Sequence, residues 1–195
     1  MRGLLLFFMI GSMSSGVAQV TLQFKLNAAP FLLNQRLNLT PDSQIQIEQF
    51  KCYLGDGNQH YYLVDASDSS TYLLPEVYRV LQVGMDSIAN TSDRLDGAFD
   101  PLLGMYWAWN TGYIQLKVIG QYYARGIVQP FEYHIGGYTS PNLTSGAIQL
   151  MPHQQSLIVN LEHLFLALPY ANQPRLMLPG STAKSIHNAF VNCFK

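Results

Sequence analysis

Seven residues near the start, Val20-Thr21-Leu22-Gln23-Phe24-Lys25-Leu26, alternate apolar and polar side chains without a break. Successive side chains of a strand point to opposite faces, so such a segment buries one face and wets the other. The pattern recurs along the chain. Residues 44–54 begin with Ile45 and Ile47 in phase, then switch to Phe50, Cys52 and Leu54. A slip of one position in a period of two predicts a β-bulge. Further short strands are predicted over 61–66, 77–84, 113–119, 130–135, 147–151 and 157–159. Turn-forming clusters separate them, such as Gly55-Asp56-Gly57-Asn58, Asp68-Ser69-Ser70 and Ser140-Pro141-Asn142. The expectation is a mainly β protein, an antiparallel β-sandwich.

Helical periodicity enters late. Ala183, Ile186, Phe190, Cys193 and Phe194 share one face at helical spacing, after a Pro179-Gly180-Ser181 stop and N-cap signal. This predicts a C-terminal amphipathic helix docked on the sheets, with a shorter helix over 161–168. No repeat or linker interrupts the chain, so residues 19–195 are expected to form a single domain.

Residues 1–18 have a different composition. Arg2, a short apolar run over 4–10 and the small residues Gly16-Val17-Ala18 make a cleavable signal peptide, with Gln19 as the new N-terminus. The apolar run is too short to span a bilayer, and no later segment is long and apolar enough. Neither cysteine lies near the end of the signal, which argues against a lipid anchor there. A periplasmic or secreted location is expected.

Charged residues make up only 12% of the chain, against roughly 25% in ordinary soluble proteins. Without the signal, 10 Lys and Arg face 12 Asp and Glu. A nucleic-acid partner needs a basic stripe and is not expected. Cys52 and Cys193 give no disulfide framework, and pairing or separate burial both fit.

Chemistry-bearing residues are sparse. There is no G-x-S-x-G elbow and no local pair of acids suited to glycoside chemistry, so an enzyme is not expected. The acids Asp86, Asp93, Asp96 and Asp100 lack calcium-loop spacing and read as turn caps. Five histidines occur without H-x-H or H-x-x-x-H spacing, so any metal site must be assembled by folding. His134 stands out on the strand Phe131-Glu132-Tyr133-His134-Ile135, facing away from Tyr133. His60 follows a glycine-rich turn and His153 lies in a proline-containing loop. Both tryptophans fall in Gly104-Met105-Tyr106-Trp107-Ala108-Trp109-Asn110-Thr111-Gly112-Tyr113. Tyr106, Trp107, Trp109 and Tyr113 form either an aromatic core plug or a stacking surface, with burial favoured by their size.

That aromatic run, preceded by Val83-Gly84-Met85-Asp86-Ser87 and Gly97-Ala98-Phe99-Asp100-Pro101 and followed by Phe131-Glu132-Tyr133-His134-Ile135-Gly136-Gly137, resembles the MbnP-like family. Leu63-Val64-Asp65 and Met177-Leu178-Pro179-Gly180 extend the likeness over nearly the whole mature chain. The resemblance implies an exported β-sandwich that handles copper, held by histidines and in some relatives accompanied by a tryptophan oxidised to kynurenine. His134 matches the family's strand histidine, and Trp107 and Trp109 match its paired tryptophans. Where many relatives carry a histidine just before Leu-Val-Asp, this chain has Tyr62, with His60 two residues earlier on the same strand face. The implied function is non-enzymatic copper binding with His134 as a ligand and His60 or His153 as the second. The alternative is a metal-free module that uses the Trp107/Trp109 segment to contact a glycan or peptide.

Overall fold

The computed structural model describes residues 18–66, 70–77, 79–107 and 112–194. Residues 1–17 of the signal segment, Asp68 and Ser69 of one turn cluster, and Trp109 lie outside the described residues, as does most of the loop around that tryptophan.

Two sheets face each other. The smaller is built on β1 (Ala18–Leu26), flanked by β2 (Ala29–Pro30), β6 (Thr71–Val77) and β12 (Ser156–Asn160). The larger runs in the order β11 (Gly146–Gln149), β7 (Val80–Val83), β4 (Ser43–Gly55), β9 (Gly112–Ala124), β10 (Ile127–Gly136) and β13 (Arg175–Leu176). β3 (Arg36–Thr40) and β5 (Tyr61–Asp65) also pair with β4, and β8 (Tyr106–Trp107) pairs with β9. Most ladders are antiparallel, as expected, but β1 runs parallel to β12 and β10 parallel to β13. The strand expected over 77–84 is split: Thr71–Val77 belongs to the small sheet and Val80–Val83 to the large one. No glycine, proline or asparagine between Val77 and Val80 marks the place where the chain changes sheets.

The alternating residues do what their phase predicts. Val20, Leu22, Phe24 and Leu26 of β1 are buried against Ile45, Ile47, Phe50, Cys52 and Leu54 of β4 in one hydrophobic cluster. The bulge lies between Ile47 and Gln49, where the pairing to β9 slips. Gly120 faces that place because a Cβ there would sit 2.2 Å from the Gln46 carbonyl oxygen.

α3 (Ser181–Val191) closes the cluster with Ala183, Ile186 and Phe190. Its N-cap is Gly180 rather than Ser181, and no side chain caps it. α2 (Glu162–Ala167) adds Leu164 and Phe165. Cys52 and Cys193 are buried thiols and do not pair. Burial pushes the Cys52 thiol far up, so the thiolate is disfavoured.

A second, smaller cluster lies on the other face of the large sheet. Tyr53, Tyr61, Tyr113 and Ile114 rise from the strands to meet Met85, Ala89, Phe99, Met105 and Trp107 from the connection between β7 and β9. That connection includes α1 (Ser87–Asn90) and two short 3-10 turns. Asp86 caps α1 by accepting from Ala89 N, and Asp100 caps the second turn by accepting from Leu102 N. Turn capping thus accounts for these two acids.

Candidate metal centre

His134 sits on the outer face of the large sheet, at the margin of the second cluster. The strand period places Phe131, Tyr133 and Ile135 in the main core and turns His134 and Glu132 the other way. The register then lays a row of ionisable side chains across four strands: Asp65 opposite Lys51, Lys51 opposite Lys117, and Lys117 opposite His134. Lys51 pairs with Asp65 at 2.8 Å and also donates to the Leu103 carbonyl at 3.2 Å. Lys117 donates to the Gly104 carbonyl at 3.3 Å. The two lysines thereby tie down the turn that leads into Trp107.

The imidazole of His134 is almost wholly buried. Its Nε2 lies 3.2 Å from Glu132 Oε1, within ion-pair distance but without hydrogen-bond geometry. Among the described residues neither ring nitrogen has a hydrogen-bond partner. Burial, and then the Lys117 ammonium, hold His134 below the ordinary histidine range, with Glu132 opposing. Lys117 is itself held below the usual lysine range by burial and by Lys51. At neutral pH the His134 ring is therefore neutral with a lone pair to offer.

Trp107 packs beside this row. Its indole covers Gly136, where a Cβ would approach ring carbons within 2.8 Å, and its Nε1 is buried without a partner among the described residues. Tyr113 is buried in the same layer, with its hydroxyl 2.8 Å from the Arg94 carbonyl and 3.0 Å from that of Phe99. Tyr106 is half-buried and meets the Tyr113 ring edge-on at 5.1 Å. Tyr106, Tyr113, Tyr138 and Asn90 line a cleft of about 400 Å³. Larger clefts of about 470 and 570 Å³ flank the tip of the β9–β10 hairpin around Arg125, far from these residues.

The other two candidate histidines stand elsewhere. His60 precedes β5 and is five residues along that strand from the Asp65 row, three strands away from β10. Ordinary strand rise and spacing put it about 20 Å from His134. His153 is exposed in the turn before β12, against the smaller sheet. The fold therefore does not bring His134, His60 and His153 together. Among the described residues no group of three or more His, Cys, Asp or Glu side chains is placed to hold a metal ion. A metal ion at His134 would meet two donors, the ring and the Glu132 carboxylate, with the Lys117 cation working against it.

Two partners escaped the sequence reading. Lys117 is fixed only by cross-strand register, which no local pattern encodes. Asp56, behind His60, carries a signal in hindsight: an Asp inside a Gly-Asp-Gly-Asn turn readily folds back on the backbone.

A family model described as MbnP matches residues 17–179 of the chain. No curated protein and no solved structure matches it.

Proposed function

The chain belongs to the MbnP family, and on that premise we propose that it is an exported, non-enzymatic copper-handling protein whose metal-binding imidazole is His134. The observation that carries the assignment is a buried ring, held neutral, whose Nε2 faces the Glu132 carboxylate at 3.2 Å and whose nitrogens have no hydrogen-bond partner among the described residues. Ligating histidines must be deprotonated, and imidazole is a good donor for copper. Glu132 is the second donor within reach, and copper arriving there has to offset the neighbouring Lys117 charge. Trp107, buried over Gly136 two residues along the strand from His134, is the described tryptophan that copper-linked oxidation at this site would reach.

Export is the other half of the proposal. Cleavage after Ala18 would release a chain that starts at Gln19, the second residue of β1. No helix among the described residues is long and apolar enough to cross a membrane.

The test is metal content and intact mass of the exported protein, isolated without chelators. The expected result is a chain beginning at Gln19 with stoichiometric copper that His134→Ala abolishes and that His60→Ala and His153→Ala leave in place. A protein that refuses both Cu(I) and Cu(II), or an uptake indifferent to His134→Ala, overturns the copper assignment. In that event the cleft lined by Tyr106, Tyr113 and Tyr138 favours the second reading, a metal-free module that holds a glycan or peptide against its aromatic walls.

A further inference from the structure

The Asp56–His60 pair is built unlike any other histidine site among the described residues. Asp56 is a buried carboxylate at the end of β4, with its side chain 1% exposed, whereas the His60 side chain is 66% exposed. Burying a carboxylate is costly unless its oxygens are satisfied. Here Oδ1 accepts from Asn58 N at 2.7 Å and His60 N at 3.1 Å, and Oδ2 lies 2.8 Å from His60 Nδ1. The turn is held from outside as well. Gln59, in the left-handed region at φ 66°, donates from Nε2 to Asp86 Oδ2 at 2.7 Å.

This arrangement decides the tautomer of the ring. An ionised carboxylate only accepts, so Nδ1 carries the proton and donates it to Asp56. The neutral ring then has its lone pair on Nε2, the nitrogen away from the carboxylate and toward solvent. A carboxylate behind a histidine in this way fixes ring orientation and raises the donor strength of the far nitrogen, as it does behind metal-ligating histidines. His153 and His163 are also exposed, but the structure gives neither a carboxylate of this kind.

The geometry points to His60 Nε2 as a second metal-binding position, separate from His134, which takes a transition-metal ion that arrives already partly coordinated. Asp56 is its positioning residue. One imidazole cannot strip an ion from a strong chelator, but it can fill an open position on a chelate by displacing a bound water. No proton or electron is transferred in that exchange. The inference rests on the metal-handling reading of the family, yet it concerns a different residue pair and stands or falls on its own variants.

Cu(II)–nitrilotriacetate at pH 8, a chelate with positions left open, is the probe, followed by paramagnetic broadening of amide signals in the ¹⁵N-labelled mature protein. Broadening is expected to centre on the turn around His60 at chelate concentrations about tenfold below those that affect the surroundings of His153 or His163. His60→Ala removes it, Asp56→Asn weakens it about tenfold, and His134→Ala leaves it unchanged. Equal broadening at all three exposed histidines, or indifference to Asp56→Asn, overturns the assignment. If Asp56→Asn does not fold, the ranking of the three histidines in the unaltered protein decides alone. Loss of copper uptake in His134→Ala combined with no preference for His60 would sink this inference and leave the main reading intact.

Discussion

The two hydrophobic clusters on either face of the large sheet are made of different material. Between the sheets the core is mainly hydrocarbon: Val20, Leu22, Ile45, Leu116, Val118 and Ile135, threaded by phenylalanines, with Tyr133 and Tyr170 also buried in it. Phe50 alone meets Phe24, Phe31 and Phe190 with ring centroids 5.7, 5.6 and 5.9 Å apart. On the outer face the cluster is tyrosine, methionine and tryptophan, and its partner layer is a loop rather than a sheet. A loop brings backbone carbonyls that no ladder satisfies. Tyrosines can bury a ring and still donate a hydrogen bond, and here they do: Tyr53 to Ala98, Tyr113 to Arg94 and Phe99. Lys51 and Lys117 do the same at the margin. The lesson is that amphipathic side chains let a loop serve as the second layer, and the candidate metal residue sits where that layer ends.

Substitutions can separate the two clusters. Phe50→Ala removes the ring on which three others converge and should cost about 3–5 kcal/mol by urea unfolding. Because that core holds both sheets, tryptophan fluorescence and far-UV signals should be lost together. Transitions that separate would mean the loop-covered layer stands without it.

His187 tests the seam between the clusters. It lies on α3 with its Nε2 against Gly84, just ahead of Met85 in the loop-covered layer. Burial pushes its pKa down to about 4, partly opposed by the Val83 backbone. As pH falls below 6.5 the unfolded chain takes up this proton before the folded one, so stability is full above 6.5 and declines toward pH 4. The loss is about 3 kcal/mol, from roughly 1.4 per pKa unit. His187→Leu should flatten that part of the stability–pH curve relative to the unaltered protein. An identical slope in both would show that the helix packs without regard to this ring's charge.

The smallest effect sharpens the comparison most. Gly136→Ala places a methyl within 2.8 Å of the Trp107 ring and 2.9 Å of the Tyr113 carbonyl. Overpacking of this kind costs about 1–3 kcal/mol. The expected sign is red-shifted, more quenchable tryptophan fluorescence with little change in far-UV circular dichroism. Equal damage to both signals would mean that the outer layer and the sandwich are one cooperative unit.

How legible each part was follows from the same contrast. The alternation in β1 and the phase slip at Ile47 report burial on one face, so the sandwich and even its bulge can be read directly. The buried face of α3 can be read too. The parallel β1–β12 pairing and the change of sheet between Val77 and Val80 cannot, because register and partner are settled by tertiary packing. In the outer layer the sequence showed that Trp107 and Tyr113 belong together, and their burial fits the favoured expectation. It showed that His134 faces away from the core. It did not show Lys117 beside that ring, or that the three histidines stand apart, since both depend on how four strands align.

The pairing of Thr21 with Ser156 has a consequence for the order of events in folding. The first strand of the domain is paired along one edge by β2 and β6 and along the other only by β12, from near the opposite end of the chain. Contacts so distant in sequence make folding slow, because a long loop must close before they form. A chain that emerges N-terminus first therefore holds β1 with one edge open until β12 arrives. During that interval Val20, Leu22 and Phe24 form an apolar strand face available to any other chain, and the length of the interval sets how much of the protein reaches its native state.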